Sequence, residues 1–330
     1  VRIYEKCKIE DMKILITGIH GFVGSNLVNA LKKEHTLYGV DIVAPVKEGV
    51  VKTFSWKDVD DNAIPPMDAI IHLAGKAHDT KNRAAAQVYF DVNTGLTQKI
   101  YDYFLKSEAK RFIFFSSVKA AADKVPGDVL TEEVVPAPKG PYGESKIKAE
   151  EYILKNEALR TRNEESASKR VFILRPCMIH GPGNKGNLNL LYGVVSKGIP
   201  WPLGAFENRR TFTSIDNLCF VVEGLLTKDV QSGIYHMADD EALSTNELIE
   251  VMCEAMGKKA HIWKINRSLM EGVASIGTTL HLPLNEERLG KLTENYVASN
   301  TKIKKALGIE RMPVRAKDGL KKTILSFGKD

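Results

Sequence analysis

The strongest constraint in the chain is a run of glycines at a strand-to-helix junction. Thr17-Gly18-Ile19-His20-Gly21-Phe22-Val23-Gly24 follows an apolar, β-rich run (Lys13–Thr17) and leads into an amphipathic stretch, Gly24–Lys33. Glycines at these positions let the turn close tightly. They also let backbone N–H groups approach a pyrophosphate at the positive end of the following helix. The spacing is GxxGxxG rather than GxGxxG, and context gives it meaning: strand before, helix after, and Asp41 at the end of the next strand candidate, Thr36–Asp41. A carboxylate there, with Ile42 beside it, can hydrogen-bond an adenosine ribose and would repel a 2′-phosphate, which favours NAD over NADP.

The rest of the chain supplies the sheet that such a turn requires. Further strand candidates are Val50–Ser55, Ala69–Ala74, Arg111–Ser116 and Val171–Arg175, with helix candidates at Val88–Glu108 and Ser145–Arg160. Short apolar strands separated by helical connections predict an α/β fold, a doubly wound parallel sheet covered on both faces. Beyond Pro176 the pattern changes to a Gly-, Pro- and Asn-rich stretch (177–210) holding a helix candidate at Leu188–Lys197. A strand candidate (Ile234–Ala238) and a helix (Ser244–Met256) with a capping-box pattern at Ser244 and Glu247 follow. The expected organisation is a dinucleotide domain over 12–176 with returns at about 211–238, and a smaller, interleaved substrate lobe formed by 177–210 and 239–330. Residues 1–11 read as an unstructured leader ahead of Met12, and Thr161–Lys169 as a surface loop.

Composition narrows the partners. The chain has 330 residues with Lys+Arg 47, Asp+Glu 41 and a formal net charge of +6. From Lys291 to Asp330 there are ten basic residues and four acidic ones, so the excess lies in that segment and the remainder is balanced. This excludes a basic nucleic-acid-binding body. Residues 302–322 read as one solvated, charge-alternating helical face. No apolar run approaches the roughly 20 residues that span a bilayer, so no membrane partner is expected. Cys7, Cys177, Cys219 and Cys253 lie far apart without metal-ligand spacing, which predicts a reduced, cytoplasmic chain with no bound metal.

The candidate catalytic residues follow from spacing and chemistry. Tyr142 and Lys146, in Pro141-Tyr142-Gly143-Glu144-Ser145-Lys146, stand four residues apart at a helix start and so share a face. Tyr4 and Lys8 have the same spacing, but they lie in the leader and read as coincidence. Ser117 ends a strand candidate 25 residues before Tyr142. Hydride transfer at an alcohol carbon needs a base for the hydroxyl proton, and a free tyrosine is too weak an acid near pH 7. A nearby Lys ammonium would bring it toward working pH, and a serine hydroxyl can orient the substrate oxygen. Leu73, Ala74 and Gly75, after His72, are small enough to let a cofactor lie over the sheet edge. His72 reads as a core histidine, whereas Lys76 and His78 are better placed to meet ligand. For the adenine contact, Asp58-Val59 and Trp56 both remain candidates.

With these residues in hand, the chain resembles the extended short-chain dehydrogenase/reductase family, in its nucleotide-sugar epimerase/dehydratase branch, over about residues 12–310. The resemblance rests on Thr17–Gly24, Asp41, His72–Gly75, Asn93, Ser116-Ser117, Pro141–Lys146, Arg175-Pro176, Gly181–Gly183, Asn187-Leu188 and Arg210–Asp216. It implies a Rossmann-type fold, Tyr142 as base, Lys146 gripping the nicotinamide ribose and Ser117 bonding the sugar oxygen. It also implies Asn93 and Ser116 near the cofactor, Pro176 near its carboxamide, and Asn187, Leu188 and Arg210 on a nucleotide diphosphate. A second phosphate-gripping cation does not align cleanly, and Arg288 or Lys291 is the candidate to substitute. A homodimer joined through the helices near 88–108 and 145–160 is a further implication.

Departures from the family pattern are informative. Ser117 is followed by Val118-Lys119 rather than by the Asp-Glu pair of 4,6-dehydratases, which argues against dehydration. Ala120-Ala121-Ala122 reshapes the sugar pocket, into which Lys119 is expected to point. The expected function is an NAD-dependent epimerase acting at C4 of a UDP-hexose through a 4-keto sugar. The alternatives are a reductase of 4-keto-6-deoxy nucleotide sugars, which a Ser-x-Lys segment resembles, and a non-catalytic NAD-binding protein.

Overall fold

A computed structural model describes residues 11–77, 85–162, 168–184, 186–280 and 285–327. Residues 1–10 of the expected leader, His78, and residues 163–167 of the expected 161–169 loop lie outside the described residues.

Seven parallel strands form the central sheet: β1 (Lys13–Thr17), β2 (Thr36–Val40), β3 (Val50–Phe54), β4 (Ala69–His72), β5 (Arg111–Phe115), β6 (Arg170–Pro176) and β9 (Gly233–Met237). Their order is β3-β2-β1-β4-β5-β6-β9. The chain steps outward from β1 through β2 to β3, then crosses to β4 on the other side of β1. That reversal opens a crevice at the carboxyl ends of β1 and β4, the place where such sheets bind ligands.

Period-2 alternation assigns the two faces. Ile14 and Ile16 point to one side, where α1 (Phe22–Leu31) packs through Leu27, Val28 and Leu31, and α8 (Ile215–Thr227) through Leu218 and Val222. Leu15 points to the other side, into a cluster with Val59 of α2 (Trp56–Asp60), Tyr101 and Phe104 of α4 (Leu96–Lys106) and Ile153 of α6 (Gly140–Arg162). Strands buried on both faces explain the unbroken apolar runs.

The helix expected over Val88–Glu108 is three pieces: α3 (Ala86–Tyr89), a π-helical turn (Phe90–Gly95) and α4. The short α5 (Val118–Ala121) begins directly after Ser117. Past β6, β7 (Met178–His180) pairs with β8 (Phe212–Ser214) in a separate two-stranded sheet. A third apolar cluster draws on α7 (Asn187–Val195), α9 (Thr245–Ala255), α10 (Arg267–Thr279), α11 (Glu286–Thr293) and α13 (Ala316–Phe327). The capping box predicted at Ser244 is present, with the hydroxyl accepting from Glu247 N and the Glu247 carboxylate accepting from Ser244 N.

The single charged face expected over 302–322 is instead two helices, α12 (Thr301–Leu307) and α13. α12 stops because Gly308 takes a left-handed conformation, φ 66°, that caps it. Much of the local charge is paired: Lys304 with Asp240, Lys321 with Glu254 and Lys322 with Asp216. Among the described residues no helix is long and apolar enough to cross a membrane.

Candidate active site

A cavity of about 590 Å³ lies at the carboxyl ends of β1, β4, β5 and β6, and Ser117, Tyr142 and Lys146 all line it. Two elements place them, the end of β5 and the start of α6. Ser117 follows β5 and N-caps α5, its Oγ accepting from Lys119 N at 3.2 Å. Tyr142 and Lys146 lie on the first turns of α6. Lys146 Nζ donates to Phe115 O at 2.8 Å, which ties α6 to the end of β5.

The electrostatics differ from the sequence expectation in one respect. Burial pushes the Tyr142 phenol up, with the Ser117 hydroxyl acting in the lowering direction through a hydrogen bond. The expected lowering by Lys146 is not among the causes. Lys146 is itself buried, which brings its ammonium down to about 8 against the opposing pull of the Glu150 carboxylate. The Ser117 hydroxyl therefore acts on the Tyr142 phenol.

The glycine turn is built as a cradle. Gly18 has φ +70°, and a Cβ there would stand 2.9 Å from Ala74 N; one at Gly24 would stand 2.5 Å from Gly18 O. Gly18, Gly21, Phe22, Val23 and Gly24 line the cavity, as do Leu73, Gly75 and Lys76. Asp41 aims its carboxylate back at this turn, accepting from His20 N at 3.0 Å and from Ile42 N at 2.8 Å. A turn with glycines where a Cβ would clash with the backbone, facing a carboxylate, fits the diphosphate and adenosine ribose of NAD. His72 is a core residue, fully buried between the hydroxyls of Thr17 (2.7 Å) and Thr97 (2.9 Å), and burial keeps it neutral.

Several expected ligand residues serve as supports. Asn93 is buried; its Oδ1 accepts from Lys76 N (2.7 Å), and its Nδ2 donates to Lys76 O and to Ser145 Oγ. It clamps the loop after β4 onto α6. The Ser116 hydroxyl donates to Glu150, and Asp58 closes a capping box with Ser55 at the start of α2. Leu188 is buried in the lobe core.

At the far end of the cavity, Asn187 and Arg210 line the wall together with Pro176. Arg210 is held by Lys291 O (3.0 Å) and lies 3.7 Å from Glu294 Oε1. Arg288 and Lys291 are on α11 outside the lining, and the Lys291 ammonium pairs with Glu287. Lys119 does line the cavity, its Nζ donating to Asp123 O (2.7 Å) and standing 4.5 Å above the Tyr296 ring.

Tyr296 and Asn184 are among the lining residues that the sequence did not single out. Tyr296 donates to Val118 O and Ala122 O and so fastens α5 beneath Lys119. Asn184 presents a buried Nδ2 with no partner among the described residues, a donor that a ligand oxygen can take. The unpaired donor is visible only once the fold is known. No carboxylate stands among the described lining residues.

Gly75 joins cofactor turn and catalytic pair: a Cβ there would lie 2.9 Å from Asn93 Oδ1 and 3.2 Å from Lys146 Nζ. Gly75→Ala is expected to displace the Lys146 ammonium and lower kcat/KM by roughly 10²-fold with the fold retained, checked by steady-state kinetics beside circular dichroism.

The fold and site define an NAD-dependent enzyme of the short-chain dehydrogenase/reductase type, with a Ser-Tyr-Lys set beside a dinucleotide turn. More narrowly, the chain belongs to the NAD dependent epimerase/dehydratase family, whose model matches residues 14–238. It is 34% identical over 260 residues to a UDP-glucose 4-epimerase of Vibrio cholerae, covering 74% of this chain and 76% of the relative. It is 25% identical over 252 residues to the N-acetyl-alpha-D-glucosaminyl-diphospho-ditrans,octacis-undecaprenol 4-epimerase of Escherichia coli O157:H7, covering 74% and 73%. In fold it is similar to the Bordetella bronchiseptica enzyme WbmG in complex with NAD, with a TM-score of 0.74 at 17% identity over 98% of this chain and 96% of that one.

Proposed function

We propose that the protein is a nucleotide-sugar 4-epimerase acting on a UDP-hexose through a 4-keto sugar. The observation that carries this reading is a cavity that holds Ser117, Tyr142 and Lys146 but no carboxylate among its described lining residues. Tyr142 can accept and return one hydroxyl proton, and no second acid is at hand to expel water, which disfavours dehydration. The Gly18–Gly24 turn and Asp41 would hold NAD, which would supply hydride-acceptor and hydride-donor chemistry at the sugar carbon. Ser117 would bond the reacting oxygen, and Lys146 would grip the nicotinamide ribose. Arg210 and the Asn184 amide offer donors to the diphosphate end. The Vibrio relative's activity supports the substrate class. The helices α4 and α6 suit a homodimer contact, since Leu154 and Leu159 on α6 are exposed.

A second reading, a 4-keto nucleotide-sugar reductase, is favoured by Lys119, which lines the cavity two residues after Ser117; Ala120, Ala121 and Ala122, expected to reshape the sugar pocket, are instead buried outside the lining. The two differ in cofactor traffic. Incubation of the purified protein with UDP-glucose and with UDP-N-acetylglucosamine, without added cofactor, is expected to yield the C4 epimer. No epimer, together with stoichiometric consumption of NADH or NADPH by a 4-keto sugar, would replace this reading by the second.

Lys146 also sets a pH limit. Its ammonium is present below about 8 and lost above it. Because the charged form is the stronger donor toward a nicotinamide ribose, kcat is expected to fall as pH rises through about 8, read from a pH–rate profile at saturating substrate.

A further inference from the structure

Helix α10 has two apolar faces. Met270, Ala274 and Gly277 are buried against the lobe core, whereas Leu269, Val273, Ile276 and the C-cap Leu280 are 60%, 44%, 59% and 62% exposed. Spacings of four, three and four residues collect these side chains into an arc of about 60° beside the buried face. Trp263, on the segment entering the helix, is 56% exposed. From Lys258 to Leu280 the charged residues are Lys258, Lys259, Lys264, Arg267 and a single acid, Glu271. An exposed apolar stripe with an aromatic at its edge and cations beside it matches a helix lying in the headgroup–acyl boundary of an anionic bilayer. A two-fold contact between copies through this face would instead set these cations against themselves.

We propose that this face docks peripherally on an anionic phospholipid surface, with α10 lying in the interface and the Leu269–Leu280 stripe inserted. α10 packs on α11, whose Lys291 carbonyl holds Arg210, so docking would bring the Arg210 end of the cavity near the bilayer.

The full chain, incubated with phosphatidylglycerol-containing and with pure phosphatidylcholine vesicles, is expected to cosediment with the former far more strongly. Trp263 fluorescence should shift to the blue on binding. The double variant Leu269→Asp/Ile276→Asp changes only exposed positions and should lose binding by about tenfold or more while keeping turnover of soluble substrate. Lys259→Glu/Lys264→Glu should abolish the preference for anionic vesicles. Failure of the wild type to bind, or equal binding by the apolar double variant, would overturn the proposal. So would a dimer in light scattering that the apolar double variant converts to monomer, since the stripe would then be covered by a second copy.

Discussion

Tyr142→Phe is expected to lower kcat by roughly 10²–10⁴-fold while leaving the melting temperature and the amount of NAD bound unchanged. The substitution removes one oxygen. The ring keeps its edge contact with Tyr89, centroids 6.5 Å apart, and α6 keeps its Lys146–Phe115 tie, so packing is preserved. What is lost is the group that takes the hydroxyl proton. Burial works against its ionisation, and the Ser117 hydroxyl works for it. Ser117→Ala should therefore slow the reaction and also move the acidic limb of the pH–rate profile upward. A serine that only oriented substrate would leave that limb in place. Steady-state kinetics with the two variants separates these outcomes.

The largest stability effect is expected at a buried pair behind the site. Glu150 and Arg175 are 0% and 1% exposed, joined by bonds of 3.0, 3.1 and 2.5 Å, and the Ser116 hydroxyl donates to the same carboxylate. Glu150 lies one helical turn beyond Lys146, so the pair spans β6 and the catalytic helix. Arg175→Met leaves a carboxylate in the core without its counter-charge and should destabilise the fold by about 3–5 kcal/mol. Glu150→Leu/Arg175→Met removes both charges and should recover much of that loss; the part not recovered falls on Lys146, whose buried ammonium loses the Glu150 carboxylate. Urea unfolding of the two variants tests this. The pair is a device for holding α6, and the double variant should still show a raised KM or lowered kcat through a looser Lys146.

The sheet was legible because its strands are short, apolar and buried on both faces. The six strand candidates of the first half coincide with β1–β6 to within two residues at either end. The Tyr142–Lys146 pair and the glycine turn were legible for a related reason, since each is fixed by spacing along one element or one junction, and Ser117 by its place at the end of an apolar strand. Tyr296 and Asn184 were not, because their roles depend on contacts between segments far apart in the chain. The π-helical turn at 90–95 was hidden because Val88–Glu108 keeps a helical pattern throughout. There Asn93 sits in a tertiary clamp with Lys76 and Ser145 that no local pattern reports. Arg288 and Lys291 were candidates by charge alone, and charge does not say which way a helix faces. Gly308 was readable in principle, as a glycine just past an apolar-periodic run.

The central claim is that hydride leaves and returns at C4 within one bound sugar, with Tyr142 handling only the hydroxyl proton. UDP-glucose deuterated at C4 tests it most directly. Incubation with the purified protein in ordinary water, without added cofactor, should give an epimer that keeps the deuterium at C4. An epimer that exchanges it for solvent hydrogen would contradict this account.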